Sequence, residues 1–125
     1  MIDRQVLSVL PLKVREVVER ELGSTAKENN LSAEIVEEIR LRAGRQVLLV
    51  TGKGEIYLHV TVDEMMIREA LEYISGYSLY AYEEQLREGF ITIRGGHRVG
   101  IAGKVVMEQG RVKTIKNISS VNIRI

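Results

Sequence analysis

The 125-residue chain contains no cysteine and no tryptophan, and it has a single proline. The absence of cysteine excludes a disulfide framework, a thiol nucleophile and every zinc site built on thiolates. The two histidines, His59 and His97, stand far apart in the sequence, so a histidine-based metal site is not expected. No run approaches the roughly 18 apolar residues of a membrane-spanning helix, and the first residues are not a signal peptide. We expect one domain, residues 1–125, in the cytoplasm.

The composition is that of an ordinary soluble domain, with 45% apolar and 28% charged residues. The net charge of +1 conceals an asymmetry along the chain. Residues 1–86 carry 10 basic and 15 acidic side chains, whereas residues 87–125 carry 8 basic and 2 acidic side chains. A basic half of this kind favours a partner with negative charge, such as phosphate, nucleic acid or an acidic protein surface. The alternative is a basic sheet face balanced by acidic helices.

The first thirty-six residues show helical spacing. Four apolar residues share one helix face: Leu10, Val14, Val17 and Val18. Pro11 suits the first helical position, and Gly23 is expected to end the helix. Ser32 predicts the N-cap of a short second helix, in which Leu31 packs against Val36.

A β-rich stretch follows. The segment 38–42 alternates with period two, which predicts a strand with Ile39 and Leu41 inward and the charged residues outward. A turn, a buried strand, a hairpin loop and a return strand are expected at 44–45, 47–50, 52–54 and 56–60. The loop sequence Gly52-Lys53-Gly54 lacks the spacing of a phosphate-binding loop, so no nucleotide is expected to bind there.

A helix pair is predicted next. Thr61 and Glu64 have the spacing of a capping box, with Thr61 as the N-cap. The apolar stripe that follows is Ile67, Ala70, Leu71 and Ile74. Gly76 is expected to end this helix, and Ser78 to cap a further helix over 79–87.

The basic tail reads as a meander of about four strands. The predicted strands are 90–93, 99–107, 111–116 and 118–125, with turns at 94–97 and 109–110 and a break at Asn117. We expect Val99, Ile101, Val105, Val121 and Ile123 to pack against Ile67, Leu71 and Ile74. The fold class is therefore α+β, with N-terminal helices and a mostly antiparallel sheet under a helix pair. The chain ends inside an alternating strand pattern, so we expect it to be one domain of a longer protein.

Two clusters of positive charge are candidate anion sites. Arg94, His97 and Arg98 surround a Gly-Gly turn, where guanidiniums and backbone amides can hold a phosphate or carboxylate. The alternative is a glycine-rich hairpin with solvated arginines. The second cluster is Arg40, Arg42 and Arg45. If both clusters share one face, the anion site is favoured.

A nucleic-acid-binding module is the competing function class. Gly100-Ile101-Ala102-Gly103 matches the GxxG pattern of RNA-binding KH loops, although its central residues are apolar and lie in a strand pattern. The alternative for these glycines is a strand that bends or that another segment approaches closely. Salt-dependent binding of oligonucleotides would distinguish the two classes.

Four segments together resemble a known family. They are residues 38–45, 82–92, 95–103 and 118–125. In this order and spacing they are similar to the N-terminal domain of the stage III sporulation protein AA family. The resemblance implies that a RecA-like ATPase domain follows in the longer protein. It also implies a wider similarity to the ring ATPases of type II and type IV secretion and pilus retraction.

The resemblance implies a PAS-like α/β architecture and a non-catalytic role for this chain. It implies packing on neighbouring subunits of a homo-oligomeric ring, with ATP and magnesium bound by the full-length protein and none in this chain. The implied partners are membrane-bound channel proteins of the sporulation apparatus, in the mother cell of a sporulating bacterium. Six residues are implied to contact nucleotide or a neighbouring subunit: Arg98, Arg94, Arg40, Arg42, Arg45 and His97.

Overall fold

The structure, a computed structural model, describes residues 2, 4–29, 36–76, 85, 87 and 90–125. Three helices and six strands occur in this part of the chain. The helices are α1 (Arg4–Leu7), α2 (Leu12–Asn29) and α3 (Glu64–Ile74). The strands are β1 (Val36–Arg42), β2 (Gln46–Thr51), β3 (Gly54–Thr61), β4 (Phe90–Thr92), β5 (Arg98–Glu108) and β6 (Arg111–Arg124).

The six strands form one sheet in the order β3-β2-β1-β6-β5-β4, and every described pair is antiparallel. The last strand therefore pairs with the first in the middle of the sheet. Buried apolar residues from all three helices and all six strands form a single core cluster. Because side chains alternate across a strand, the helices cover one face of the sheet. The α+β class and the antiparallel sheet are confirmed.

The buried face of the predicted N-terminal helix is confirmed, but the predicted C-terminal end of this helix is wrong. The four stripe residues, Leu10 to Val18, are all buried. Gly23 does not end the helix, since α2 continues to Asn29. An interior glycine costs a helix only about 1 kcal/mol relative to alanine, so it does not force termination. Val36 begins β1, so it does not belong to a helix, while Leu31 and Ser32 lie outside the described residues.

The cap of α3 is Asp63, so the predicted capping box at Thr61 is wrong. Asp63 Oδ1 accepts a hydrogen bond of 2.8 Å from the backbone amide of Met66. Thr61 is still paired with Gln46 in the sheet, which holds its backbone in the strand. The helix ends as predicted, with Ser75 as C-cap and Gly76 at φ +61°. Of the next predicted helix, only Gln85 and Arg87 are described, and both are helical.

The tail contains three strands, so the predicted four are wrong. Asn117 adopts φ +48°, but it lies within a continuous β6, where the pairing register shifts by two residues. A positive-φ residue at a bulge bends the strand and does not end it. Val99, Ile101, Val121 and Ile123 are buried as expected. Val105 is 49% exposed, so its predicted place in the core is wrong.

Candidate interface on the open sheet face

The face of the sheet opposite α1–α3 carries a row of polar and basic side chains. The register aligns Glu38 with Arg124 and Arg98, and aligns Arg40 with Asn122. Residues directly opposite in an antiparallel pair point to the same side of the sheet. Their neighbours Ile39, Val99 and Ile123 point to the core side and are buried. We call this surface the open face, and its residues are Glu38, Arg40, Arg42, Phe90, Arg98, Gly100, Ala102, Ser120, Asn122 and Arg124.

Glu38 is the centre of a hydrogen-bonded network on the open face. Although the sequence predicts it outward in solvent, the residue is only 9% exposed. Asn122 Nδ2 donates to Glu38 Oε1, and an Nη of Arg40 donates to Glu38 Oε2 at 3.2 Å. The Arg40 hydrogen bond holds the pKa of Glu38 below its ordinary value, against burial, which would raise it. Arg40 is thus committed to this internal pair, and its pKa is raised by the same carboxylate.

Arg98 and Arg124 lie side by side at one end of the open face. They are paired across β5 and β6, and both are exposed. The Arg98 guanidinium lies over the Phe90 ring, 4.6 Å from its centroid, which limits the positions that this side chain adopts. Like charges placed opposite each other on a sheet repel, and a bound anion would relieve this repulsion. Sequence reasoning missed Arg124, because only the pairing of β6 with β5 brings it beside Arg98.

A shallow depression of about 260 Å³ lies beside this pair on the same face. Its floor is made by small residues of β5 and β6, namely Gly100, Ala102 and Ser120. Arg42 and Asn122 stand at its border, and Arg42 is exposed. Because these side chains are small, another molecule can approach the backbone beneath them closely. Arginine and amide donors therefore border a surface that is accessible to a partner.

The remaining predicted site residues lie away from the open face. Arg45 is in the exposed β1–β2 turn, where its carbonyl accepts a hydrogen bond from Val62 N at 2.8 Å. Arg94 and His97 are in the β4–β5 turn, at the opposite end of the strands. Arg94 lines a separate groove with Arg4 of α1. The structure therefore brings Arg40, Arg42 and Arg98 to one face, but it does not bring the two predicted basic clusters together.

The GxxG segment is not a loop. Gly100 and Gly103 lie within β5, which agrees with the alternative that a neighbouring segment approaches closely. A Cβ on Gly103 would stand 2.7 Å from the carbonyl oxygen of Lys116 and 2.9 Å from Cα of Ile118. Gly103 is therefore required by strand packing. A KH-type phosphate contact needs loop amides that are free to bind, and paired strand amides are not.

The open face is suited to binding anions. A guanidinium stays charged and presents a fork that matches phosphate or carboxylate, so exposed Arg42, Arg98 and Arg124 can hold either group. Within the described ranges there is no group of three or more His, Cys, Asp or Glu side chains that could hold a metal ion. None of the described helices is long and apolar enough to cross a membrane.

Comparison with known proteins yields a family and one relative. The family model described as "Sporulation stage III, protein AA" matches residues 3–125. A stage III sporulation protein AA from Bacillus subtilis (strain 168) is 44% identical over 90 residues, which cover 72% of this chain. The chain spans 29% of the length of this relative. No solved structure matches.

Proposed function

Because the chain belongs to the sporulation stage III protein AA family, we propose that it acts in sporulation as the non-catalytic N-terminal domain of a longer ATPase. Its task is to pack against a neighbouring subunit and to couple ATP hydrolysis to a secretion-like channel. The fraction of the relative that the chain spans, 29%, leaves room for a separate ATPase domain. The family membership supports the sporulation role, and the resemblance to secretion ATPases supports the remaining steps.

The observation that carries the proposal is the arginine-bearing open face. Arg42, Arg98 and Arg124 are exposed there, while Glu38 forms an ion pair with Arg40 and interacts with Arg124 at longer range. In a ring, this face lies toward the ATPase domain of a neighbour and contacts either nucleotide phosphate or an acidic surface. A change at the phosphates then biases a rigid-body rotation of this domain. ATP and magnesium are bound by the full-length protein, and the PAS-like architecture belongs to the same proposal.

The location follows from the same reasoning. The protein works in the cytoplasm of the mother cell, at the membrane through its channel partners.

Arg45, Arg94 and His97 lie at the two ends of the strands. They contact the neighbouring subunit only if the interface extends past the open face, so they are secondary contacts.

The test is substitution of the open-face arginines in the full-length protein. Arg98→Ala and Arg124→Ala are expected to lower ATPase turnover at least about tenfold, the loss of one charge-assisted phosphate contact. Arg20→Ala, an exposed arginine of α2, is the matched control and should leave turnover unchanged. Melting of the 125-residue chain should stay similar for all three, because an exposed contact such as that of Arg98 with Phe90 contributes about 1 kcal/mol or less.

Two results would contradict the proposal. One is unchanged turnover in both open-face variants. The other is binding of short oligonucleotides by the wild-type chain, with an affinity that falls steeply with salt and is lost in Arg98→Ala. The second result would assign the face to nucleic acid.

A further inference from the structure

The β5–β6 hairpin extends beyond the sheet as a two-stranded arm, which we define as residues 104–116. Among the described residues, pairing of β6 with β1 ends at Ser120, and pairing of β4 with β5 ends at Gly100. Beyond the bulge, β5 and β6 continue to pair with each other from Lys104↔Lys116 to Glu108↔Arg111. At about 3.3 Å per residue, the arm is roughly 15 Å long. It is anchored at Lys113, whose carbonyl accepts a hydrogen bond from Arg87 Nε at 3.0 Å.

The arm combines exposed apolar side chains with an excess of basic residues. Val105 and Met107 are 49% and 57% exposed, and their register partners Ile115 and Val112 are also apolar. Its four basic residues are Lys104, Arg111, Lys113 and Lys116, against the single acidic Glu108. A two-stranded ribbon is marginally stable alone, so exposed apolar residues on it are costly unless a partner covers them.

A groove lined by charged residues and methionine lies on the outer side of α3. It has a volume of about 490 Å³ and is lined by Lys13, Asp63, Met65, Met66, Arg68, Glu69 and Glu72. The lining carries three acidic residues, Asp63, Glu69 and Glu72, against two basic residues, Lys13 and Arg68. Exposed apolar groups accompany this charge, since Met65 is 76% exposed and Leu12, at the start of α2, is 54% exposed.

We propose that the arm of one copy of this chain docks in the α2–α3 groove of a second copy. The arm carries a net charge of +3 and the lining of the groove a net charge of −1, and each surface has exposed methionine. Ile67, Ala70 and Ile74 turn one side of α3 toward the sheet to which the arm is joined, so the groove faces away from it.

The contact is head-to-tail, because arm and groove are different surfaces. Interfaces of this kind repeat from copy to copy and close into a ring or continue as a filament. Because the arm is only roughly 15 Å long, we expect the contact to bury less than the roughly 1,200 Å² of a standard stable interface, so association of the chain by itself should be weak. The inference uses a surface other than the open face and does not depend on ATP.

The experiment is a charge swap followed by sedimentation velocity of the 125-residue chain at low salt. Lys104→Glu reverses one charge of the arm, where it opposes Lys116 and introduces no new repulsion. Glu72→Lys reverses one exposed charge of the groove. Each variant alone should associate at least about fivefold more weakly than wild type. An equimolar mixture of the two should recover pairwise association, because the unchanged arm of the Glu72→Lys variant meets the unchanged groove of the Lys104→Glu variant.

Lys53→Glu, in the β2–β3 turn, makes the same charge change elsewhere and should associate like wild type. Met107→Ser and Met65→Ser test the apolar half of the contact without altering charge, and both should weaken association. A wild-type chain that stays monomeric over the whole concentration series overturns the inference. A mixture that does not recover also overturns it, as does binding of the arm to anionic phosphatidylserine vesicles without self-association. The full-length Arg98→Ala variant should lose ATPase turnover while the same change in the 125-residue chain leaves self-association intact, because the open face and the arm are different surfaces. Loss of self-association in Arg98→Ala would overturn the inference without contradicting the proposed function.

Discussion

Replacement of Glu38 by glutamine tests whether the open face is held together by a charged network. The carboxylate accepts hydrogen bonds from Arg40 and Asn122, and its side chain is only 12% exposed. Glutamine keeps one acceptor oxygen but presents an NH₂ group toward the second donor, so one charge-assisted hydrogen bond is lost. Such bonds contribute about 1.5–3 kcal/mol. The Arg40 side chain is 30% exposed, so water can replace part of the lost hydrogen bond. We therefore expect Glu38→Gln to lower the free energy of unfolding by about 2 kcal/mol.

The same variant has a defined pH dependence. The folded-state pKa of Glu38 is lowered below its ordinary value of 4.5, chiefly by the Arg40 hydrogen bond. Its stabilisation is therefore present above the unfolded-state pKa and is lost as the pH falls through the folded-state pKa. The difference in unfolding free energy between wild type and Glu38→Gln should be full at pH 7. It should shrink as the solution is acidified below pH 4.5, since protonated glutamate resembles glutamine.

The assay is urea denaturation of both proteins at a series of pH values, with the free energy of unfolding taken by linear extrapolation. Glu37→Gln is the matched control, because it makes the same chemical change at an exposed neighbour and should alter stability by less than about 0.5 kcal/mol. A Glu38→Gln protein as stable as wild type at pH 7 would refute the network. A difference that persists unchanged at low pH would show that the effect is steric and not ionic.

Two further substitutions test how local geometry supports the sheet and α3. Gly103→Ala places a Cβ against backbone atoms of β6, so it should destabilise the chain by about 1–3 kcal/mol. It should also shift the amide NMR signals of residues 104–116. Gly100→Ala is the control, because a Cβ there would make an ordinary contact of 3.8 Å with Asn122. Asp63→Ala removes the α3 cap and should cost about 1 kcal/mol in thermal or urea unfolding, whereas Thr61→Ala should not, the reverse of what the capping-box pattern predicts.

The sequence by itself determined the elements whose signals are local. Turns at Gly44, Gly54 and Gly110 adopt positive φ, a conformation that glycine accepts at little cost, so each turn could be predicted from its residue type. The strand with Ile39 and Leu41 inward is predictable in the same way, since period-two alternation marks a half-buried strand. Arg40 and Arg42 lie on a strand that the pattern located correctly, and Arg98 is the first residue of β5, one residue before the predicted strand.

Only the tertiary structure decided which of these residues meet. Alternation says that Glu38 and Arg40 share a side of β1, but Asn122 reaches Glu38 because β6 pairs with β1 across 84 positions of sequence. The pairing of β6 with β5 places Arg124 beside Arg98, at positions that are 26 residues apart in the sequence. Val105 has the same alternating pattern as the buried Val99, yet it is exposed because the arm runs past the edge of the sheet. Burial depends on what lies opposite a side chain, and in a sheet that is set by strand order and register, which local sequence patterns do not contain.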